Sequence, residues 1–518
     1  MATPAPRRLS TARLRRAVRR ETIGVDVAGA LNLTGVLVKW FSLSFLFPTV
    51  IAVGHGESPW PFLVATAAAA AFGFGLENAT RGKERVGARE GFLVVSLLWL
   101  VVAAFGAIPY LLSGEEQLTN APDAYFESIS GFTTTGSSVL SDIEALNRSF
   151  LMYRQFTQWI GGMGIIVLAL AVLPRLRVGG RQLFQVEAPG AEFEPLTVTI
   201  REAARRFLVI YLGITVLEAA VLALLGWTGV DDEMSLFDAV GHAFTSVATG
   251  GFSTRNASLA AFAAPTQWVV AAFLVISATN FALLYRATIG RGLRVFLRDD
   301  EFRTYALLLV LACVVVLSEV LRQGLATGEA AFRQSIFNTV SLLTTTGYAN
   351  ADYNQWTGLA LIVLIGVMVI GASAGSTSGS IKVARHVIIG KMLRRELDQT
   401  VHPELVAPVR FNRRPLEEKA LRAVIMFTLL YLGILALGAF GVLIDSARAD
   451  ITLNPFEAIA AAATTLGGVG PALGFAGPVG NFDAFTDFSK SILMILMWMG
   501  RLEIIPVVVL FTRSYWRA

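Results

Sequence analysis

Residues Asp123–Ser138 read DAYFESISGFTTTGSS, and the fold turns on how that stretch is understood. Its opening piece, Asp123–Gly131, is amphiphilic and too short to cross a bilayer core, which takes about 20 residues of helix. The piece is followed by a polar Thr/Gly cluster, Thr133–Ser138. Full-length spans, Glu90–Leu112 and Tyr153–Leu173, stand on either side. A short helix and a polar turn between two spans read as a re-entrant segment. Irregular backbone at membrane depth must be buried in protein or line a water-filled path.

The same order recurs. Spans near Phe207–Trp227 and Gln267–Leu284 flank Phe237–Gly251, and spans near Thr304–Val320 and Gly358–Gly371 flank Gln334–Gly347. Spans near Ala420–Leu443 and Ser489–Phe511 flank Glu457–Gly470. Asp123, Asp238, Gln334 and Glu457 each lie thirteen residues before a glycine (136 − 123, 251 − 238, 347 − 334 and 470 − 457). Matched offsets with matched flanks are the mark of an internal repeat. Before the repeats, Leu31–Val53 and Pro61–Leu76 read as a helical hairpin. The first of these has a basic flank like a signal peptide, but its length and the lack of a small-residue cleavage site favour a retained helix. The expected fold is an all-α polytopic membrane protein: a hairpin, then four helix–pore helix–helix units around a central pore. The divisions are 1–89 (basic arm and hairpin), 90–200, 201–302, 303–415 (with an intramembrane loop) and 416–518. They give ten full spans and four short helices.

Composition agrees. The chain has 518 residues, 54% hydrophobic and 16% charged, with a mean hydropathy of +0.60. That excludes a disordered chain and argues against a soluble enzyme, where charged residues run at about 25%. Stretches such as Phe92–Leu112, Ile165–Pro174 and Leu361–Gly371 carry no charge. The net charge of +5 matters less than its placement. Basic residues crowd alternate connections: Arg7–Arg20, Arg81–Arg89, Arg175–Arg206, Arg286–Arg298 and Lys391–Arg422. The positive-inside rule puts these connections and both termini in the cytoplasm. A basic arm tied to a membrane helix needs no nucleic-acid partner. The other connections carry Glu115, Glu116, Asp123, Glu127, Asp142, Asp231, Asp232, Glu233, Asp238, Asp450 and Glu457, which would raise the cation concentration at an outer mouth. Cys313 is alone, so no internal disulfide or multi-cysteine metal site is possible. The four histidines have no ligand spacing, and no covalent cofactor is expected.

The four clusters are Thr133-Thr134-Thr135-Gly136, Ala248-Thr249-Gly250-Gly251, Thr344-Thr345-Thr346-Gly347 and Gly467-Gly468-Val469-Gly470. Singly, each is a Gly/Thr turn. Together, at matched offsets, they make a ring of backbone carbonyls able to replace the water shell of a monovalent cation. Glycine suits this because it reaches conformations that a Cβ opposes. The carbonyl ends of the four short helices would add their dipoles. The candidate ion-binding residues are Thr134, Thr135, Gly136, Thr249, Gly250, Gly251, Thr345, Thr346, Gly347, Gly468, Val469 and Gly470.

Two further features point to control of passage. Gly371-Ala372-Ser373-Ala374-Gly375-Ser376-Thr377-Ser378-Gly379-Ser380 interrupts an apolar span before Ile381-Lys382 resumes it. Ten small or hydroxyl residues in a row make a poor helix, so a flexible loop is expected below the filter; the alternative is a small-residue packing face. Arg501 lies inside the last span, where a charge is expensive and by default functional. Facing the cavity it would repel a cation and hydrogen-bond to the broken loop. The alternatives are a pair with Glu503 or snorkelling, which the helix expected beyond it, roughly 15 Å long, disfavours.

These residues resemble the membrane subunit of Trk-type potassium uptake systems, within the Trk/Ktr/HKT superfamily. The motifs are Gln158-Trp159-Ile160-Gly161-Gly162-Met163-Gly164, the Thr-Thr-Thr-Gly turns, Leu466-Gly467-Gly468-Val469-Gly470-Pro471, Gly375-Ser376-Thr377 with Ile381-Lys382, and Gly500-Arg501-Leu502-Glu503. They cover nearly the whole chain from about Phe92, and the N-terminal hairpin is similar to the Trk branch. The resemblance implies K⁺ uptake through a channel-like pore, a homodimer, and a cytoplasmic regulatory ring that senses nucleotides (TrkA-like). It implies that 371–380, with Lys382 and Arg501, form an intramembrane gate. Gly136 resembles the K⁺-selective pattern, whereas some relatives carry Ser there and pass Na⁺. Ser378 and Ser380 depart from the usual glycines, which leaves the gate's stiffness open. No P-loop or G-x-G-x-x-G follows a strand, so nucleotide control would reside on the partner. The alternative function is a weakly selective or Na⁺-conducting pore, since Thr249-Gly250-Gly251 and Gly468-Val469-Gly470 break the Thr-Thr-Gly match. An enzyme is not expected: no nucleophile stands near a general base.

Overall fold

A computed structural model of the chain describes residues 24–82, 87–172, 200–288 and 292–517. The basic arm up to Arg20, and Lys83, Arg85, Arg175, Arg177, Arg181 and Arg291, lie outside the described residues.

The N-terminal hairpin is as expected. Helix α1 (Val27–Phe41) passes through a 3-10 turn (Ser42–Phe45) into α2 (Leu46–Gly54), and α3 (Trp60–Ala79) returns. Its arms meet at two glycines. A Cβ on Gly73 would stand 2.6 Å from the Lys39 amide nitrogen and 2.8 Å from the Gly35 carbonyl. Gly73→Leu is therefore expected to force the arms apart, at about 1–3 kcal/mol. Thermal unfolding in detergent checks this: a lower Tm is expected, and an unchanged one contradicts the close approach.

The hairpin packs on the first of four units. That unit comprises α4 (Ala88–Leu111), the short α5 (Ala121–Phe132) and α6 (Arg148–Val172). The second has α7 (Ile200–Trp227), the short α8 (Leu236–Val247), α9 (Ala264–Ser277) and α10 (Phe281–Arg286). After α11 (Arg294–Arg298), the third has α12 (Asp300–Gln323), α13 (Gly328–Leu343), α14 (Gly358–Ile370) and α15 (Val383–Val401). The fourth has α16 (Glu418–Arg448), the short α17 (Pro455–Gly467), α18 (Asp487–Arg501) and α19 (Ile505–Leu510), with α20 (Arg513–Trp516) at the end. One departure from an all-helical chain is a small antiparallel hairpin, β1 (Arg410–Phe411) and β2 (Arg414–Pro415), turned by Asn412 and Arg413 at positive φ.

The short helices start on local signals. Ser235 accepts from the Asp238 N–H, and Asn454 and Glu457 form a reciprocal capping box with Pro455 at the first position. Each short helix packs against the first span of its own unit. Each second span packs against the short helix of the next unit: α6 on α8, α9 on α13, α14 on α17, and α18 back on α5. That last contact closes the four units into a ring.

Six helices among the described residues are long and apolar enough to cross a membrane: Val27–Gly54, Trp60–Ala79, Arg89–Leu111, Arg205–Trp227, Asp300–Gln323 and Glu418–Arg448. They are the two hairpin arms and the first span of every unit. Side chains such as Val216, Val314 and Leu437 point apolar surface outward from them, as lipid-facing helices do.

Two of the second spans depart from the expectation of unbroken helices. In the second unit the helix stops at Ser277 and restarts at Phe281, capped by the Asn280 side chain, which accepts from the Ala282 and Leu283 amides. In the fourth it stops at Arg501 and restarts at Ile505, with Glu503 and Ile504 at positive φ. The expectation of continuous helix beyond Arg501 is thus incorrect. In the third unit the break at 371–382 falls where the small residues run.

Candidate functional site

The four Thr/Gly turns share one backbone pattern. The glycines have φ of 86° (Gly136), 82° (Gly251), 86° (Gly347) and 111° (Gly470). Two residues earlier, φ is again positive: 54° at Thr134, 51° at Thr249, 58° at Thr345 and 67° at Gly468. The residues between them, Thr135, Gly250, Thr346 and Val469, are not at positive φ. Alternation of positive and negative φ turns successive carbonyls to the same side of the chain. Three of the positions are threonines, for which the left-handed region costs about 1–2 kcal/mol each. Such strain persists only where the surroundings over-determine it.

The turns also touch in cyclic order. A Cβ on Gly136 would lie 2.2 Å from the Gly250 carbonyl oxygen, and one on Gly251 1.9 Å from that of Thr346. One on Gly347 would lie 1.7 Å from the Val469 oxygen, and one on Gly470 2.9 Å from the Thr135 oxygen. Each glycine therefore abuts the carbonyl just before the equivalent glycine of a neighbouring turn, and the fourth returns to the first. Side chains brace the ring. Gln158 donates from Nε2 to the Gly250 carbonyl at 2.7 Å and accepts from the Phe252 N–H at 3.0 Å. Ser137 Oγ donates to the Gly470 carbonyl at 2.8 Å. Gln158 belongs to the Gln-Trp-Ile-Gly-Gly-Met-Gly motif, but its role as a brace was not legible there.

The 371–380 stretch lies against the ring on the side where the short helices end. It is not a loose loop in this structure: most of it is buried and tied to three units. The Gly379 N–H donates to Thr345 Oγ1 at 2.8 Å, and a Cβ on Gly379 would stand 2.0 Å from the Gly467 carbonyl. Thr377 Oγ1 donates to the carbonyls of Val247 at 3.1 Å and Ser277 at 3.2 Å. Ser376 Oγ is bonded to the Ser373 carbonyl at 2.6 Å and to Ser378 Oγ at 2.9 Å. The Ser373 N–H donates to the Ala278 carbonyl at 3.2 Å, and the Gly375 carbonyl accepts from the Phe281 N–H at 3.1 Å. Ser380 Oγ donates to the Met368 carbonyl, and the Ala374 N–H donates to the buried Glu301 carboxylate. Gly371 and Ala372 begin the stretch, with Gly371 at φ 70°.

Arg501 joins that stretch to the first unit. It donates from Nη2 to the Gly161 carbonyl at 2.8 Å and from Nη1 to the Thr377 carbonyl at 3.3 Å. Glu503 instead meets Lys382 Nζ at 2.6 Å and Arg385 Nη2 at 2.7 Å. Lys382 thus sits in an ion-pair cluster at the end of the broken span. Arg385, which sequence reasoning passed over, also stacks its guanidinium 3.9 Å from the Phe427 ring centre.

The acidic connections divide into two kinds. Asp142, Asp232, Glu233 and Asp450 are exposed. Asn256 donates to the Asp142 carboxylate at 2.8 Å, and this hydrogen bond holds its pKa below the usual range. Asp123, Glu127, Asp231 and Asp238 are buried, and their charges are engaged inside the protein. Asp123 pairs with Lys490, Glu127 with Arg154, and Asp238 with Arg255 at 3.4 Å, while Asp231 accepts from Thr266 Oγ1 at 2.6 Å. Glu457 caps its own helix. The four buried acids do not belong to an open acidic mouth.

Comparison with known proteins gives a match to the TrkH family, described as a cation transport protein, over residues 62–517. The Salmonella typhimurium protein "Trk system potassium uptake protein TrkH" is 37% identical over 498 residues, covering 94% of this chain and 98% of that protein. Escherichia coli TrkG, also a Trk system potassium uptake protein, is 32% identical over 491 residues, covering 94% of this chain and 98% of its own. The crystal structure of the potassium transporter TrkH from Vibrio parahaemolyticus superimposes with a TM-score of 0.83 at 31% identity, covering 95% of this chain and all of that one.

Proposed function

The chain belongs to the TrkH family of cation transport proteins, and on that premise we propose that it takes up K⁺ through the ring of four turns. It is a membrane transport protein and not an enzyme. The observation that carries the reading is the ring itself: four turns with the same alternating backbone, each glycine seated against the next turn's carbonyl. In this reading the carbonyls of 134–136, 249–251, 345–347 and 468–470 replace the water around a dehydrated K⁺. The Thr-to-Gly change at Gly468 leaves the backbone pattern intact, which favours K⁺ selectivity over the weakly selective alternative.

The 371–380 stretch and Arg501 form the barrier below the ring. The stretch is bonded to Thr345 of one turn, to the carbonyl of Val247 before another, and to Arg501. An ion leaving the ring meets both packed backbone and a guanidinium. Opening requires these hydrogen bonds to be exchanged, so the gate works between discrete arrangements. The exposed acids, Asp142 among them, raise the local cation concentration outside.

The relatives are named as parts of a Trk system, which supports a chain that works with other components. A homodimer, a nucleotide-sensing cytoplasmic partner and an inner-membrane location with both termini inside belong to the same proposal. The test is growth of a K⁺-uptake-deficient bacterium at low K⁺. Rescue by the chain with its cytoplasmic partner is expected. Failure by a well-expressed wild-type chain with that partner would overturn the reading.

A further inference from the structure

The four units differ at one matched position behind the ring. Glu127, His242, Asn338 and Ala461 each stand nine residues before the glycine of their turn (136 − 127, 251 − 242, 347 − 338 and 470 − 461). In three units this residue is polar, fully buried and bonded to a residue just beyond the glycine. Glu127 accepts from Ser138 Oγ at 3.0 Å and from the Val139 N–H at 3.2 Å. His242 Nε2 meets Ser253 Oγ at 2.9 Å, while Nδ1 is bonded to the Asp238 carbonyl at 2.8 Å. A carbonyl only accepts, so Nδ1 carries the proton and the Ser253 hydroxyl donates to Nε2. Asn338 Nδ2 donates to Asn350 Oδ1 at 2.7 Å, and its Oδ1 accepts from the Asn350 N–H at 3.4 Å. In the fourth unit the matching residues are Ala461, Ala472 and Leu473, all buried and apolar.

These ties run from the back of a short helix to the outer end of its turn, and they are linked to one another. Arg154 binds Glu127 at 2.8 Å, with both side chains fully buried. Its Nη1 continues to the Ser253 carbonyl at 3.3 Å, and its guanidinium lies 4.1 Å from the Phe252 ring centre. The first unit's tie therefore also grips the second unit's turn. Asn350 donates onward to Gln267 Oε1 at 2.8 Å. A buried hydrogen bond is directional and holds two groups at one distance, whereas apolar packing lets them slide.

We infer that Glu127, His242 and Asn338 are positioning residues that fix the spacing of the carbonyl ring and so set its preference for K⁺ over Na⁺, while the fourth turn has no polar tie at this matched position. This rests on the reading of the ring as the ion-selective element. None of the three touches the ion. They act through the outer ends of the turns.

The experiment is Rb⁺ uptake into proteoliposomes, with competing K⁺ or Na⁺, on monodisperse protein. Ser253→Ala removes the partner of His242 with little change of volume. Asn338→Leu combined with Asn350→Leu removes both side chains of a tie, so neither side chain is left as a lone buried amide. Each is expected to lower K⁺-over-Na⁺ discrimination by about three- to tenfold, the factor one hydrogen bond carries. Rb⁺ flux without Na⁺ stays near wild type. Ser253→Thr keeps the hydroxyl and is expected to keep the discrimination. If the asparagine pair variant does not yield folded protein, Ser253→Ala decides alone. Wild-type discrimination in the tie variants, with or without a lower Tm, overturns the inference, provided Gly347→Ala shifts selectivity in the same assay. If Gly347→Ala leaves selectivity unchanged as well, the filter reading falls and the inference with it.

Discussion

Gly347→Ala is expected to lower discrimination of K⁺ over Na⁺ by at least about tenfold, the factor for 1.4 kcal/mol, and to abolish growth at limiting K⁺. Two independent effects act at this position. The backbone has φ of 86°, which a residue with a Cβ adopts only under strain. The new Cβ would also stand 1.7 Å from the Val469 carbonyl oxygen. No rotamer relieves that contact, because a Cβ has no torsion of its own. The third turn must move, or the fourth must, and either shift displaces a carbonyl of the ring. Selectivity is a difference between two affinities, so displaced carbonyls alter it before they abolish flux. Gly366→Ala is the control. It lies in α14 of the same unit with nothing within 4 Å of its Cβ, and wild-type uptake is expected. Rb⁺ uptake with competing Na⁺ separates the two variants; equal discrimination in both would contradict the assignment.

Arg501→Ala is expected to raise flux. The side chain bridges Gly161 of the first unit and Thr377 of the broken span by hydrogen bonds of 2.8 and 3.3 Å. On the proposed reading its removal takes a buried positive charge out of the ion's path and frees one end of the barrier. Charge-assisted hydrogen bonds contribute about 1.5–3 kcal/mol, so a tenfold or greater rise in initial Rb⁺ uptake is the expected scale. Arg501→Lys keeps the charge but not the planar fork that reaches both carbonyls, and its flux should fall between. Deleting several residues from 371–380 should raise flux too. The two changes act on one network and should not add. Unchanged or lower flux from folded protein in both variants would remove Arg501 and the stretch from the barrier.

The two expectations draw on features of unequal legibility. The short helices and the turns after them could be read because the offset of thirteen residues to a glycine recurs four times between apolar spans. The break at 371–380 could be read because small and hydroxyl residues run unbroken there. The break after Arg501 left one sign, Pro506 in the first turn of the restarted helix, whose missing N–H cannot continue the ladder from Leu502. Ile504 at φ 60° is a conformation that local preference opposes. Tertiary contacts impose it: Glu503 is drawn to Lys382 and Arg385. The break before Phe281 left a trace in Asn280, a favoured helix cap, hidden inside an apolar run. The acidic residues show a different limit. A census of charge cannot tell Asp142, exposed at the surface, from Glu127, sealed against Arg154. The matched position behind the turns lay open to the same offset arithmetic that found the glycines, yet its meaning needed the partners at Ser138, Ser253 and Asn350.

In the proposed function the four carbonyl turns select the ion. The most direct measurement is Rb⁺ flux through purified wild-type chain in liposomes, competed in turn by K⁺ and by Na⁺. Strong competition by K⁺ and weak competition by Na⁺ is the predicted result. Equal competition by both ions would contradict it.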